Sequence, residues 1–306
     1  MTAARVATDQ ADTLRQMASS AKKRGIAEER LQVREGLRVI SVTSGKGGVG
    51  KSSVVINLAE SLTRLGKRVL VVDADLGQGD ICLLLGAEAP YGLNHVLSGE
   101  KTLEEIVIDA GNGIKILPAG MGVQRYMSLS PSERLSLLRG MGRLEDRFDF
   151  FLIDTGAGIS ANVTSFASAA REILLVVTPE PTSITDAYAL VKTLSGRYGA
   201  FNFRLLINMC RDAEEGASLY RKLSAITVRF LEVSLDYAGC ILHDELLLES
   251  VKRRGALCRL YPDAKASLGF RALAQNITLE GSLGAAVAPL DPAVSRKEWR
   301  NHELSS

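Results

Sequence analysis

The segment Gly45-Lys46-Gly47-Gly48-Val49-Gly50-Lys51-Ser52 constrains the chain more than any other stretch. It lies between Arg38-Val39-Ile40-Ser41-Val42, which reads as a short buried strand, and a run in which Val54, Val55, Leu58, Leu62 and Leu65 recur at helical spacing until Gly66. Glycines at such a strand-to-helix turn let backbone N–H groups face inward and form a nest with no Cβ atoms in the way. The helix that follows aims the positive end of its dipole at the same place, so the turn favours an anion. The spacing G-x-x-x-x-G-K-[ST] makes that anion a nucleoside triphosphate. Lys51 would reach the β- and γ-phosphates, and the Ser52 hydroxyl would take one position on Mg²⁺. Gly45 through Ser53 is therefore the expected nucleotide cradle.

Further short apolar runs, 68–72, 114–117, 150–153, 173–177 and 205–207, alternate with helical patterns. Continuous rather than alternating apolar runs are what parallel strands covered on both faces require. The expected fold is a doubly wound α/β sheet, mostly parallel, with ligands at the carboxyl ends of its strands. Residues 1–36 read as a polar N-terminal extension and 37–280 as one ATPase-like domain. The small, polar stretch 281–306, with Pro289 and Pro292, reads as a weakly ordered tail.

Composition narrows the partners. A formal net charge of +2 over 306 residues gives no basis for a specific nucleic-acid partner. Cys82, Cys210, Cys240 and Cys258 are widely spaced and read as small core residues in a reducing cytosol. No run of 18 apolar residues or apolar signal core is present, so the expectation is a chain that neither spans a membrane nor is secreted. His95, His243 and His302 are isolated and are assigned no chemistry.

Two strand ends carry carboxylates. Run 68–72 leads into Asp73-Ala74-Asp75, and run 150–153 into Asp154-Thr155-Gly156-Ala157-Gly158, both at the sheet edge where the glycine loop lies. Asp73 and Asp154 are candidate Mg²⁺ residues with Ser52, Asp154 being of the Walker B type. Asp75 is placed to orient or deprotonate an attacking water, and Gly156 and Gly158 would let their loop move toward a γ-phosphate. Each aspartate alone would serve equally as a turn or helix-capping residue. Asn208 is a candidate reader of the adenine edge through its amide, or an ordinary turn asparagine. Pro179-Glu180-Pro181-Thr182-Ser183 looks like a stiff loop beside the base.

With Lys46 added to these motifs and this strand order, roughly residues 37–275 resemble the MinD/ParA family of deviant Walker A ATPases, whose K-G-G-x-G-K-[ST] loop is highly specific. The resemblance implies an enzyme that binds ATP with Mg²⁺, forms an ATP-dependent homodimer and separates on hydrolysis. Lys46 would cross to the phosphates held by the partner subunit, as an arginine finger does, with Lys51 and Asp75 completing the catalytic set. Two departures stand out: Ser52 where threonine is commoner, and Gln78-Gly79-Asp80 in place of Leu-Ala-Asn.

Within that family, Asp154 to Ser160 and Thr178 to Tyr188 resemble the regulators of flagellar number. Independently, Asp9-Gln10-Ala11-Asp12-Thr13-Leu14-Arg15 matches their D-Q-A-x-x-L-R helix, which stimulates FlhF, a signal-recognition-type GTPase. The resemblance makes Asp9, Gln10, Ala11, Leu14 and Arg15 partner-binding residues, with Gln10 near the GTP, Leu14 packing and Arg15 pairing with charge. It also implies flagellar switch (C-ring) proteins or a flagellar transcription activator as partners. ATP-dependent docking on the inner face of the cell membrane would use an amphipathic helix near 263–279. The expected face is Leu268, Ala272, Leu273 and Ile277, with Lys265 and Arg271 as cations, and Phe270 and Leu279 off it. A helix packed on the core or a dimer partner is the other reading. The competing functions are a ParA-type partitioning ATPase on non-specific DNA, with Lys252-Arg253-Arg254 as its weak basic patch, and a non-catalytic anti-activator.

Overall fold

A computed structural model describes residues 31, 34–76, 79–120, 129–200 and 202–283. The expected partner segment, Asp9, Gln10, Ala11, Leu14 and Arg15, lies outside the described residues, as do Gln78 and residues 284–306 of the expected tail.

In chain order the elements are β1 (Arg38–Ser44), α1 (Lys51–Arg64), β2 (Val69–Ala74), α2 (Ile81–Leu85), α3 (Leu93–Leu97), α4 (Leu103–Ile106), β3 (Ile108–Asp109), β4 (Ile114–Leu117) and α5 (Pro131–Gly142). Then come β5 (Phe150–Ala157), α6 (Ala161–Ala169), β6 (Glu172–Val177), α7 (Pro181–Tyr198), β7 (Phe203–Cys210), α8 (Ala213–Leu231), β8 (Leu235–Leu242), α9 (Glu245–Lys252), α10 (Leu257–Leu260) and α11 (Lys265–Leu283). The strands form one sheet ordered β3-β4-β2-β5-β1-β6-β7-β8. All pairs are parallel except β3 with β4.

The doubly wound parallel sheet expected from the apolar runs is the observed architecture, and β2 is buried along its whole length. Alternate side chains serve opposite layers. Ile40, Val42, Leu152 and Leu174 pack with α1 and α11, whereas Val39, Phe151 and Ile153 face α3 to α6 and Ile173, Leu175 and Val177 face α7 and α8. Two strands escaped the sequence reading. β3 is two residues long, and β8 is an edge strand in which buried positions alternate with the exposed Asp236 and Tyr237 and the half-buried Gly239 and Cys240, so neither has a continuous apolar run. Among the described residues all four cysteines are free thiols; Cys210 and Cys258 are buried and Cys82 and Cys240 half-buried.

The face predicted for the last helix is corrected. In α11, Ala266, Phe270, Leu273, Ala274 and Ile277 are in the core, whereas Leu268 and Leu279 are 52% and 62% exposed and Ala272 is also exposed. The series 266, 270, 273, 277 is itself an i, i+3, i+4 stripe that brings Phe270 onto the sheet; the predicted face shared Leu273 and Ile277 with it but joined them to Leu268 and Ala272 on the exposed side. Among the described residues no helix is long and apolar enough to cross a membrane.

Candidate nucleotide-binding site

The carboxyl ends of β2, β5, β1, β6, β7 and β8 follow one another along a single sheet edge, so six loops meet there. β1 lies between β5 and β6, which puts its glycine loop at the centre. Gly48 and Gly50 adopt φ of +79° and +88°, the left-handed region where a Cβ is costly. Gly50 is the N-cap of α1, makes no side-chain cap and is followed by no acidic residue in the first turn. The first N–H donors of α1 are left for an anion. Gly45 has a different reason to be glycine: a Cβ there would stand 2.2 Å from the backbone carbonyl carbon of Asp186, because the loop entry presses against α7.

A cavity of about 670 Å³ opens over the loop. Gly47, Gly48, Gly50, Lys51, Ser52 and Ser53 form its floor, Asp75 and Asp80 enter from beyond β2, Gly156 from the end of β5, and Ser160 and Asn162 from beyond it. Most of the predicted cradle therefore converges with Asp75 on one space. Val49 does not share it, since its side chain is buried in the core.

Asp73 and Asp154 are direct partners in the β2–β5 register, and each is 2% exposed. Burial, and next the neighbouring Asp154 charge, hold the Asp73 carboxyl well above the usual carboxylate range, against the backbone N–H groups of Ile81 and Asp75 that bond it. Burial pushes Asp154 up to about 7, opposed by a hydrogen bond from Ser52 and the charge of Lys51. One Asp154 oxygen has no hydrogen-bond partner among the described residues. Two desolvated like charges with an unpartnered oxygen next to a serine hydroxyl suit a divalent cation, which would offset the repulsion. Among the described residues no group of three His, Cys, Asp or Glu could cage a metal. Gly79, part of the departure from the family pattern, has its own role here: a Cβ on it would come within 2.8 Å of Asp73 Oδ2.

Lys46 turns away from this cavity. Its ammonium pairs with the Glu180 carboxylate at the start of α7, and its carbonyl accepts a hydrogen bond from Ser44 Oγ at 2.7 Å. Asn208 is 1% exposed, and its Nδ2 donates to the Val49 carbonyl at 2.8 Å, so one N–H of the amide expected to read adenine is used in holding the glycine loop.

A second cavity, about 490 Å³, lies on the other side of the loop, between the ends of β6, β7 and β8. It is lined by Thr178, Pro179, Met209, Arg211, His243 and Lys265 among others. Met209, left-handed at φ +60°, brings its Cε to 3.3 Å from where a Gly50 Cβ would be. The sequence reading did not name Asn162, noted Asp80 only as a departure from the family pattern, assigned His243 no chemistry and gave Lys265 a place on the amphipathic helix. Asn162 sits just past the second aspartate motif, where a wider window would have found it. His243 and Lys265 carry no sequence signal, since β8 itself was unread.

Residues 37–207 match the family described as AAA domain. The chain is 44% identical over 241 residues to the antiactivator FleN of Pseudomonas aeruginosa, covering 79% of this chain and 86% of that protein. It is 32% identical to the flagellum site-determining protein YlxH of Helicobacter pylori, covering 82% and 85%. The cell division ATPase MinD of Pyrococcus furiosus superposes with a TM-score of 0.64 at 27% identity, over 79% of this chain and 98% of that one.

Proposed function

The chain belongs to the AAA domain family and, within it, to the FleN/YlxH group of MinD-like proteins, and from that premise we propose that it is an ATP-hydrolysing dimerisation switch that regulates flagella. The observation that carries the reading is the 670 Å³ cavity, where a glycine nest, Lys51 and Asp75 share one space. The loop N–H groups and Lys51 would bind the triphosphate, and the base would enter the 490 Å³ cavity across the loop. Ser52, with Asp73 and Asp154 behind it, would hold Mg²⁺, which when bound neutralises charge on the phosphates. Asp75 would orient the attacking water and take its proton, so that ATP and water give ADP and phosphate. Lys46, whose ammonium is paired with the exposed Glu180, would swing to a partner subunit's phosphates.

The N-terminal segment Asp9 to Arg15 would stimulate an FlhF-type GTPase, with Gln10 near the GTP. FleN is by name an antiactivator, which favours a flagellar transcription activator as a further partner, ahead of the C-ring proteins. Peripheral association with the inner membrane face would use the exposed row Leu268, Ala272 and Leu279, because the opposite side of α11 is committed to the core.

Size-exclusion chromatography with light scattering tests the switch. ATP should give dimers, Asp75→Ala should accumulate them and Lys46→Ala should prevent them. An ATP-insensitive monomer for the native chain and both variants would sink the reading. For the partner, a peptide of residues 1–20 should raise the GTPase rate of FlhF, and Gln10→Ala should abolish the effect.

A further inference from the structure

Two residues far apart in sequence, His243 and Lys265, line the 490 Å³ cavity together. His243 sits between β8 and α9; Lys265 is the first residue of α11. One carboxylate ties them together. Asp244 Oδ1 accepts the Leu246 N–H and Asp244 Oδ2 accepts the Ala266 N–H, both at 3.1 Å, so a single side chain caps two helices that start at the cavity rim. The residue before the carboxylate, His243, and the residue before the second bonded N–H, Lys265, both line the cavity. The His243 N–H also donates to the Cys210 carbonyl at 2.7 Å, pinning this wall to the end of β7.

The inner side of the cavity points to a ligand in its own right. Thr178 lines it and is 2% exposed, yet its hydroxyl finds no hydrogen-bond partner among the described residues. A hydroxyl both donates and accepts, and the edge of a nucleobase offers both complements. Pro179 and Met209 supply apolar surface on which a flat ring can lie, whereas a phosphate would gain nothing from them.

We propose that Asp244 is a positioning residue for nucleotide binding, holding His243 and Lys265 as the preset outer wall of the base subsite. The proposal rests on the ATP reading above. The wall is built before the ligand arrives, so the ordering of α11 is not charged against binding. Because Asp244 caps α11 itself, occupancy of the base subsite is felt at the start of the last helix.

Inorganic tripolyphosphate separates the two halves of the site, since it has the phosphates and no base. Calorimetric titration of the full chain should show ATP binding more tightly than tripolyphosphate. Asp244→Ala should reduce that preference by about tenfold, the scale of a lost cap, and leave tripolyphosphate affinity unchanged. Asp244→Asn keeps one acceptor oxygen and should fall between. Lys265→Ala and His243→Ala leave the caps intact and should each lower ATP affinity alone, which keeps the proposal testable if Asp244→Ala fails to fold. Retention of the native preference in all these variants overturns it, and so does an equal loss of both ligands, which would mark a purely structural role. If the native chain binds both ligands equally, the base subsite fails while the phosphate site stands. If it binds neither, the nucleotide reading fails.

Discussion

The Lys46 ammonium is paired within its own chain to the Glu180 carboxylate, across the gap between the glycine loop and the start of α7. Both side chains are partly exposed, at 34% and 56%. A lysine so held is stored away from the nucleotide cavity, and any contact to a partner's phosphates must first give up this pair. Exposed pairs contribute only ~0.2–1 kcal/mol, so the hold is weak and reversible. Glu180→Gln should therefore tighten ATP-dependent dimerisation by about two- to fivefold at low salt, an effect that fades as salt screens the native pair. Sedimentation equilibrium at two ionic strengths measures it; a variant that dimerises more weakly would mean Glu180 acts in the dimer itself.

Gly45 and Gly48 separate packing from conformation. A Cβ at Gly45 meets the Asp186 backbone at 2.2 Å, and backbone cannot rotate away. Gly45→Ala should cost about 1–3 kcal/mol or more as an overpacked site, seen as a lower unfolding midpoint. At Gly48 nothing lies within 4 Å, but φ is +79°. Gly48→Ala should cost roughly 1–2 kcal/mol through the left-handed backbone alone, while ATP affinity falls further because the new methyl group enters the nest. Denaturant titration beside nucleotide titration distinguishes the two.

The contrast explains what could be read in advance. The glycine loop, the central strands and the aspartates at their ends are local signals: apolar runs of period one, punctuated by residues whose chemistry the turn demands. They sufficed for the sheet and for the phosphate end of the site. Lys46 was legible as a residue and not as a contact, because Glu180 lies 134 positions away and only the β1–β6 pairing brings them together. At the base end a contact was hidden for the same reason. Asn208 follows an apolar strand and looks like a free turn residue, but its neighbour in space is Val49 on the loop. His243 and Lys265 depend on β8, an edge strand with no continuous apolar pattern.

Asn208 accordingly should behave as a support of the loop. Its Nδ2 bond to the Val49 carbonyl is buried, and removing a buried donor leaves that carbonyl unsatisfied, at a cost of about 1–3 kcal/mol. Asn208→Ala should lower the unfolding midpoint and weaken ATP and GTP binding by the same factor. Competition binding with both nucleotides checks this. A variant that loses discrimination between the bases would restore the base-reading role.

Arg68 and Asp149 give the chain an acid-sensitive joint at the opposite edge of the sheet from the nucleotide. The Arg68 backbone N–H and guanidinium donate to Asp149 at 2.9 and 2.8 Å, and the guanidinium bond holds the Asp149 carboxyl below the usual aspartate range. A carboxylate depressed in the folded state stabilises the fold fully above its unfolded pKa of about 3.9. That contribution is lost as pH falls below this value and through the lower folded one. Asp149→Asn removes the titration, so at pH 6 the native chain should be the more stable of the two. The difference in denaturant midpoints should narrow from about pH 4 downward, and a gap that stays constant between pH 6 and pH 3 would show that the pair contributes no titratable stability.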